Sequence, residues 1–182
     1  LINAATSVAV VLAGGVSDTA AAYAATNGTT TSGTAAIKIQ DPNAVMTVSD
    51  AANVAQFNTI DDATSSAVVL SGGLTDEAVN FAATNGTATS GLTNSTAQDT
   101  NVAIVISGGD APNVAQLNTI GAATAGTVTA SITGTAADLD GLTTASTDVI
   151  TATVSNAATV AQFNLINAAT SVAVVLAGGV SD

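Results

Sequence analysis

The sequence contains no cysteine, no histidine and no tryptophan, and Lys38 is its single basic side chain. Without cysteine there are no disulfides and no thiol chemistry. Without histidine, the many Ser and Thr hydroxyls lack their usual activating base, so the chain is not expected to be an enzyme. The shortage of cations also opposes nucleic-acid binding, because phosphates are met by Lys and Arg, and it opposes docking on anionic lipid. No uninterrupted apolar run reaches the roughly 18 residues that cross a bilayer. The longest, such as Val8–Ala13, are strand-sized, and no membrane insertion is expected.

Aromatic residues make up 2% of the chain while 47% of it is hydrophobic. The apolar mass is therefore Ala, Val, Leu and Ile, which suits thin stacked layers better than one large centre. Thirteen acidic residues give a formal charge of −12. High charge with few aromatics can mark disorder, but the β-branched content and the periodicity argue for an ordered chain.

What is present is repetition. Residues 1–18 read LINAATSVAVVLAGGVSD and residues 165–182 repeat them without a change, an offset of 164. The chain is expected to be one continuous solenoid segment over 1–182, slightly more than one period of a tandem array. Leu1 is then expected to lie within a longer protein, with any export signal upstream of it.

Within the period, Asn53–Ile60, Asn113–Ile120 and Thr159–Ile166 share one phrase whose apolar residues fall at i, i+3 and i+6. That spacing predicts a helix, with Asp50, Asp110 and Asn156 as N-caps. A β-branched run precedes each helix: Val45–Val48, Val102–Ile106 and Val149–Val154, the last alternating cleanly as a strand with one buried face. A second unit type interleaves. Val8–Leu12 and Ala67–Leu70 lead through Gly-Gly into predicted helices SDTAAAYAATNG and TDEAVNFAATNG, with Ser17 and Thr75 as N-caps and Asn-Gly at 27–28 and 85–86 as stops. A third version runs Val128–Ile132 and then Thr135–Leu142.

The implied coils are about 22–25 residues long, six to a period, and two of them carry polar excursions at 26–43 and 84–101. A coil this short cannot bury its apolar face alone. Stacked, such coils make a parallel sheet on one side and short helices or turns on the other, a β/α solenoid. An all-β solenoid is the alternative, because Ala/Thr-rich segments are ambiguous.

Candidate metal chemistry is confined to a few carboxylates. Asp138-Leu139-Asp140-Gly141 has the D-x-D-G form of a calcium loop, so Asp138 and Asp140 are the candidate calcium ligands. They also fall where a helix N-terminus is expected, which favours Asp by itself. The Gly-Gly-x-x-Asp elements at 14–18 and 72–76, with Gly108-Gly109-Asp110, approach a G-G-x-G-x-D calcium repeat but lack its third Gly and its nine-residue spacing. Sequons at Asn27, Asn85 and Asn94 lie in the excursions. Thr rows at 29–31, 127/129 and 151/153 suggest a hydroxyl ladder, for which the β-propensity of Thr is sufficient cause.

Runs such as ITGTAADLDGLTTASTDVITATVSNAATVAQFNLINAATS resemble the long internal repeats of giant secreted bacterial surface proteins, adhesin-like, S-layer-like and filament-forming, of the cyanobacterial type. That resemblance covers the whole chain and implies an extracellular or cell-surface location and a role in a stalk, sheath or filament. The expected function is a structural component of an extracellular fibre, sheath or surface layer, with neighbouring repeats or identical chains as partners. The alternative is an adhesin or fibre-type module recognising a glycan or cell surface; such recognition is usually anchored by aromatic and Arg side chains, which this chain has few or none of.

Overall fold

The computed structural model describes residues 9–109 and 111–181. These residues form an α/β fold with two open parallel sheets. The first has the order β1 (Val16–Asp18), β2 (Met46–Val48), β3 (Val68–Leu70); the second runs β4 (Leu74–Asp76), β5 (Ile104–Ile106), β6 (Val128–Gly134), β7 (Val149–Val154), β8 (Val175–Leu176). Within each sheet every strand pairs in parallel with the next in sequence. Parallel neighbours need a crossover, and helices supply it. Between β1 and β2 lie α1 (Ala20–Tyr23) and α2 (Ser32–Gln40), and between β4 and β5 lie α4 (Ala78–Phe81) and α5 (Ser90–Gln98). Single helices α3 (Val54–Asp61), α6 (Val114–Ala123), α7 (Ala136–Leu139) and α8 (Val160–Ala168) make the other crossovers.

Alternation decides which side of each strand is buried. In β7, Ile150, Ala152 and Val154 are buried while Thr151 is exposed, and β6 does the same with Val128, Ala130 and Ile132. The helices answer with the stripe Phe57 and Ile60, then Leu117 and Ile120, all four fully buried. Few large side chains are needed, because each layer only has to fill the gap between one strand and one short helix.

The caps differ from expectation. In α3, α6 and α8 the N-caps are Asn53, Asn113 and Thr159, each in a capping box with the Gln three residues on. The same Gln reaches further: Gln56 Nε2 donates to the Ala24 carbonyl at 2.9 Å and Gln116 Nε2 to that of Ala82 at 2.8 Å. Asp50 and Asn156 instead serve helices earlier in the chain, accepting from the first amide of α1 (Ala20 N, 2.6 Å) and of α7 (Ala136 N, 2.8 Å). Asp110 lies outside the described residues.

The Gly-Gly units also differ. Ser17 and Thr75 are strand residues; the N-caps are Thr19 and Glu77, and each helix is a single turn. Asn27-Gly28 and Asn85-Gly86 therefore do not stop a helix. They turn tight hairpins that bridge Ala24 to Thr30 and Ala82 to Ala88, and Gly28 (φ 80°) and Gly86 (φ 82°) supply the left-handed residue. The two polar excursions each contain a nine-residue helix, α2 and α5, N-capped by Thr31 and Thr89. In the first unit the expected strand Val8–Leu12 is not a strand over its described residues 9–12, and pairing begins at Val16.

Tyr23 and Phe81 occupy matching buried places, as the sequence pattern requires. The Tyr23 hydroxyl donates to the carbonyls of Val16 (2.9 Å) and Thr47 (3.2 Å). Burial, with the Asp18 charge second, pushes the phenol up to about 12.

Candidate functional site

The carboxylates that looked like metal ligands are engaged in local structure. Asp138 closes the capping box of α7: its Oδ2 accepts from Thr135 Oγ1 at 2.6 Å and from Thr135 N at 3.1 Å. Those two bonds hold its carboxyl below the usual range. Asp140 Oδ2 accepts from Gln162 Nε2 of the next helix at 3.2 Å. Asp61 takes Gln98 Nε2 at 2.7 Å, and burial with the neighbouring Asp62 raises its pKa. In the Gly-Gly unit, Asp76 Oδ2 accepts from Val54 N, the first amide of α3 (3.0 Å), and its Oδ1 accepts from Asn80 Nδ2 (2.7 Å). Among the described residues, no three His, Cys, Asp or Glu side chains converge as a metal site.

The other candidates are equally local. Asn27 and Asn85 accept from Thr29 N and Thr87 N in Asx turns, and Asn94 lies exposed on α5. Thr129, Thr151 and Thr153 do point away from the core, but Val69, Val105 and Val175 interrupt the outer face. Thr31 belongs to a helix cap. A shallow open groove of ≈ 540 Å³ beside α6 and α7 is lined by Asn113, Ile132, Thr133 and Asp138 among others, with no aromatic or basic side chain.

The geometry that sets this chain apart is at the Gly-Gly joints. Residues 68–76 form a strand in two halves. The first half, β3, pairs with β2 behind it, and its forward amides are taken by side chains: Val68 N donates to Gln98 Oε1 (3.2 Å) and Leu70 N to Asp99 Oδ2 (3.4 Å). The second half, β4, pairs with β5 ahead. Gly72 and Gly73 connect the halves, and each meets a different neighbour. A Cβ on Gly72 would lie 2.0 Å from the Asp50 carbonyl carbon behind, and one on Gly73 would lie 2.6 Å from the Ala103 oxygen ahead. Sequence reasoning missed the Gln-Asp pairs 40–41 and 98–99 that end the helical excursions. Their repetition at matching places was the available signal. Asp148 was missed too: it is buried, with its carboxylate accepting from Val128 N (2.8 Å) and Ala145 N (2.9 Å) in place of a strand.

The two copies of the 18-residue segment each make half of this joint. In the first, Val10 N and Leu12 N donate to Gln40 Oε1 (3.3 Å) and Asp41 Oδ2 (2.7 Å), and Val16–Asp18 pairs forward with β2. In the second, Val175–Leu176 pairs back with β7, and Val180 bridges back to Ala158. The glycines follow suit. Gly14 has open space where Gly178 has Asn156 at 2.2 Å; Gly15 has Val45 O at 2.7 Å where Gly179 has open space. Compared with known proteins, the chain matches no family model, no curated protein and no solved structure.

Proposed function

We propose that this chain is a segment of a β/α solenoid made of tandem 164-residue copies, acting as a structural component of an extracellular fibre, sheath or surface layer. The observation that carries the reading is the reciprocity of the glycines. In one identical segment the first glycine is open and the second packed, and in the other the reverse holds, while both are packed at the internal joint 72–73. A glycine with neither a left-handed φ nor a close neighbour costs backbone entropy for no gain. Gly179 is already required by its φ of 75°, but Gly14 has neither feature and makes physical sense once a further copy lies behind it.

The hydrogen bonds support the same superposition. The backward set of the second copy (Ser181 N to Ala158 O, Ala158 N to Gly179 O) and the forward set of the first (Val16 N to Val45 O) use different groups. Residues 68–76 make both sets at once: Thr75 N to Ala52 O, Ala52 N to Gly73 O and Leu74 N to Ala103 O. One copy of the segment can thus hold both neighbours, and the array has no seam. Each layer touches only its neighbours, so length is the property such an array supplies. The residue inventory supports a structural role over an enzymatic one, and the acidic, cation-poor surface keeps neighbouring rods apart. The surface location rests on the resemblance to giant secreted repeat proteins.

Electron microscopy of the native material tests the proposal. Six layers at ~4.8 Å per strand give an axial rise of roughly 30 Å per period. Long rods with that repeat are expected; compact, discrete particles would overturn the reading.

A further inference from the structure

Where one copy ends and the next begins, two surfaces of the array must meet. The chain carries an internal template. Helix α5 lies against α3: Gly91 is buried, and a Cβ there would come within 2.3 Å of Val54 Cγ1. Alongside, Gln98 Nε2 donates to Asp61 Oδ1 at 2.7 Å, and Phe57 is fully enclosed.

Each partner of that contact recurs towards one end of the chain, and among the described residues neither has the other half against it. On α2, Gly33 matches Gly91; it is exposed, and a Cβ on it would meet nothing closer than its own Thr31 Oγ1 at 3.8 Å. On α8, Val160 matches Val54 and is 47% exposed, and Phe163, the counterpart of Phe57, is only partly buried. Val54 and Gly91 are 37 residues apart, and so are Val160 and the Gly33 of a copy beginning 164 residues later.

Resting on the array reading, we infer that the Gly33 face of α2 is the docking surface for α8 of the preceding copy of the same chain. Val160 sits on Gly33 as Val54 sits on Gly91. Phe163 becomes enclosed. The absence of a side chain at Gly33 lets the two helices approach, a device that only this occupant uses.

The test is a longer chain, residues 1–164 followed directly by residues 1–182, with Val160→Cys in the first copy and Gly33→Cys in the second. The sequence has no native cysteine, so this pair alone can oxidise. With glutathione disulfide as oxidant, the pair is expected to close an internal disulfide about tenfold faster than a control pair of Val160→Cys and Ala35→Cys, whose second site lies on another face of α2. Equal rates, or no bridge, would overturn the docking. Small-angle scattering on the same chain separates the causes. A rod without selective closure removes this helix pairing and leaves the array. Two bodies tumbling separately remove both.

Discussion

Residues 9–17 and residues 173–181 have the same sequence and different structures. In the first stretch the strand is Val16–Asp18 and residues 9–12 are unpaired with any strand; in the second the strand is Val175–Leu176, the counterpart of Val11–Leu12. Nothing local distinguishes them. The first has a neighbour ahead and the second a neighbour behind, and each becomes a strand only on the side where β2 or β7 waits. The internal stretch 68–76 has both and forms β3 and β4. At these stretches secondary structure therefore follows the strand that is there to pair with.

The same contrast runs through the helices, and it can be broken by mutation. Phe57→Ala, at a fully enclosed site, is expected to cost ~3–5 kcal/mol in urea unfolding. Phe163→Ala, on the exposed end helix, is expected to cost less than half of that in this chain. If the two are equal, α8 is already enclosed and the contrast fails. Next in size, Gly91→Ala forces a methyl into Val54 and is expected to destabilise by ~1–3 kcal/mol. Gly33→Ala meets open space and is expected to stabilise α2 by roughly 0.5–1 kcal/mol. Opposite signs in one melting series would sharpen the comparison; the same sign at both would contradict it.

A smaller effect separates the Tyr23 unit from the Phe81 unit. Tyr23→Phe removes the hydroxyl from the Val16 and Thr47 carbonyls, at a cost of about 1 kcal/mol. The phenol is raised from 10.0 to about 12, so the folded state favours the neutral form. The stability this provides is complete below pH 10 and is lost as pH rises towards 12. Alkaline titration of the unfolding midpoint should show that loss in the native chain and a smaller one in Tyr23→Phe. The smallest change is expected at the exposed Asp138. Its lowered pKa stabilises above the ordinary carboxyl range, and that contribution fades as acid protonates it. Because its partners are Thr135 groups, a divalent-ion chelator is expected to leave the melting temperature unchanged. A fall on chelation would point to a bound divalent ion, with Asp138 and Asp140 as the candidate ligands.

Much of the fold was legible where one residue pattern met one physical demand. The Val-Phe-Ile stripe of α3 and the alternation of β7 are of that kind. Helix α2 and helix α5 were not legible, because their buried faces use Thr34, Gly91 and Ser95 as well as Leu92; small polar groups give no hydrophobic period. Their Thr31 and Thr89 caps were the visible sign. The caps of α3 and α6 were missed by three residues, since an acidic residue ahead of a helix drew attention from the Asn-x-x-Gln box. Asp50 does cap a helix, but one in the layer behind, a partner no local reading supplies. At the candidate calcium site the competing signal was in plain view: Thr135-x-x-Asp138 is itself a capping box.

The central claim is that copies stack without a seam, and the most direct measurement is small-angle scattering on chains of one, two and three periods. The account predicts that the maximum dimension grows by roughly 30 Å for each added period at ~4.8 Å per layer, with the cross-section unchanged. Growth in cross-section, or a flexible string of separate bodies, would contradict it.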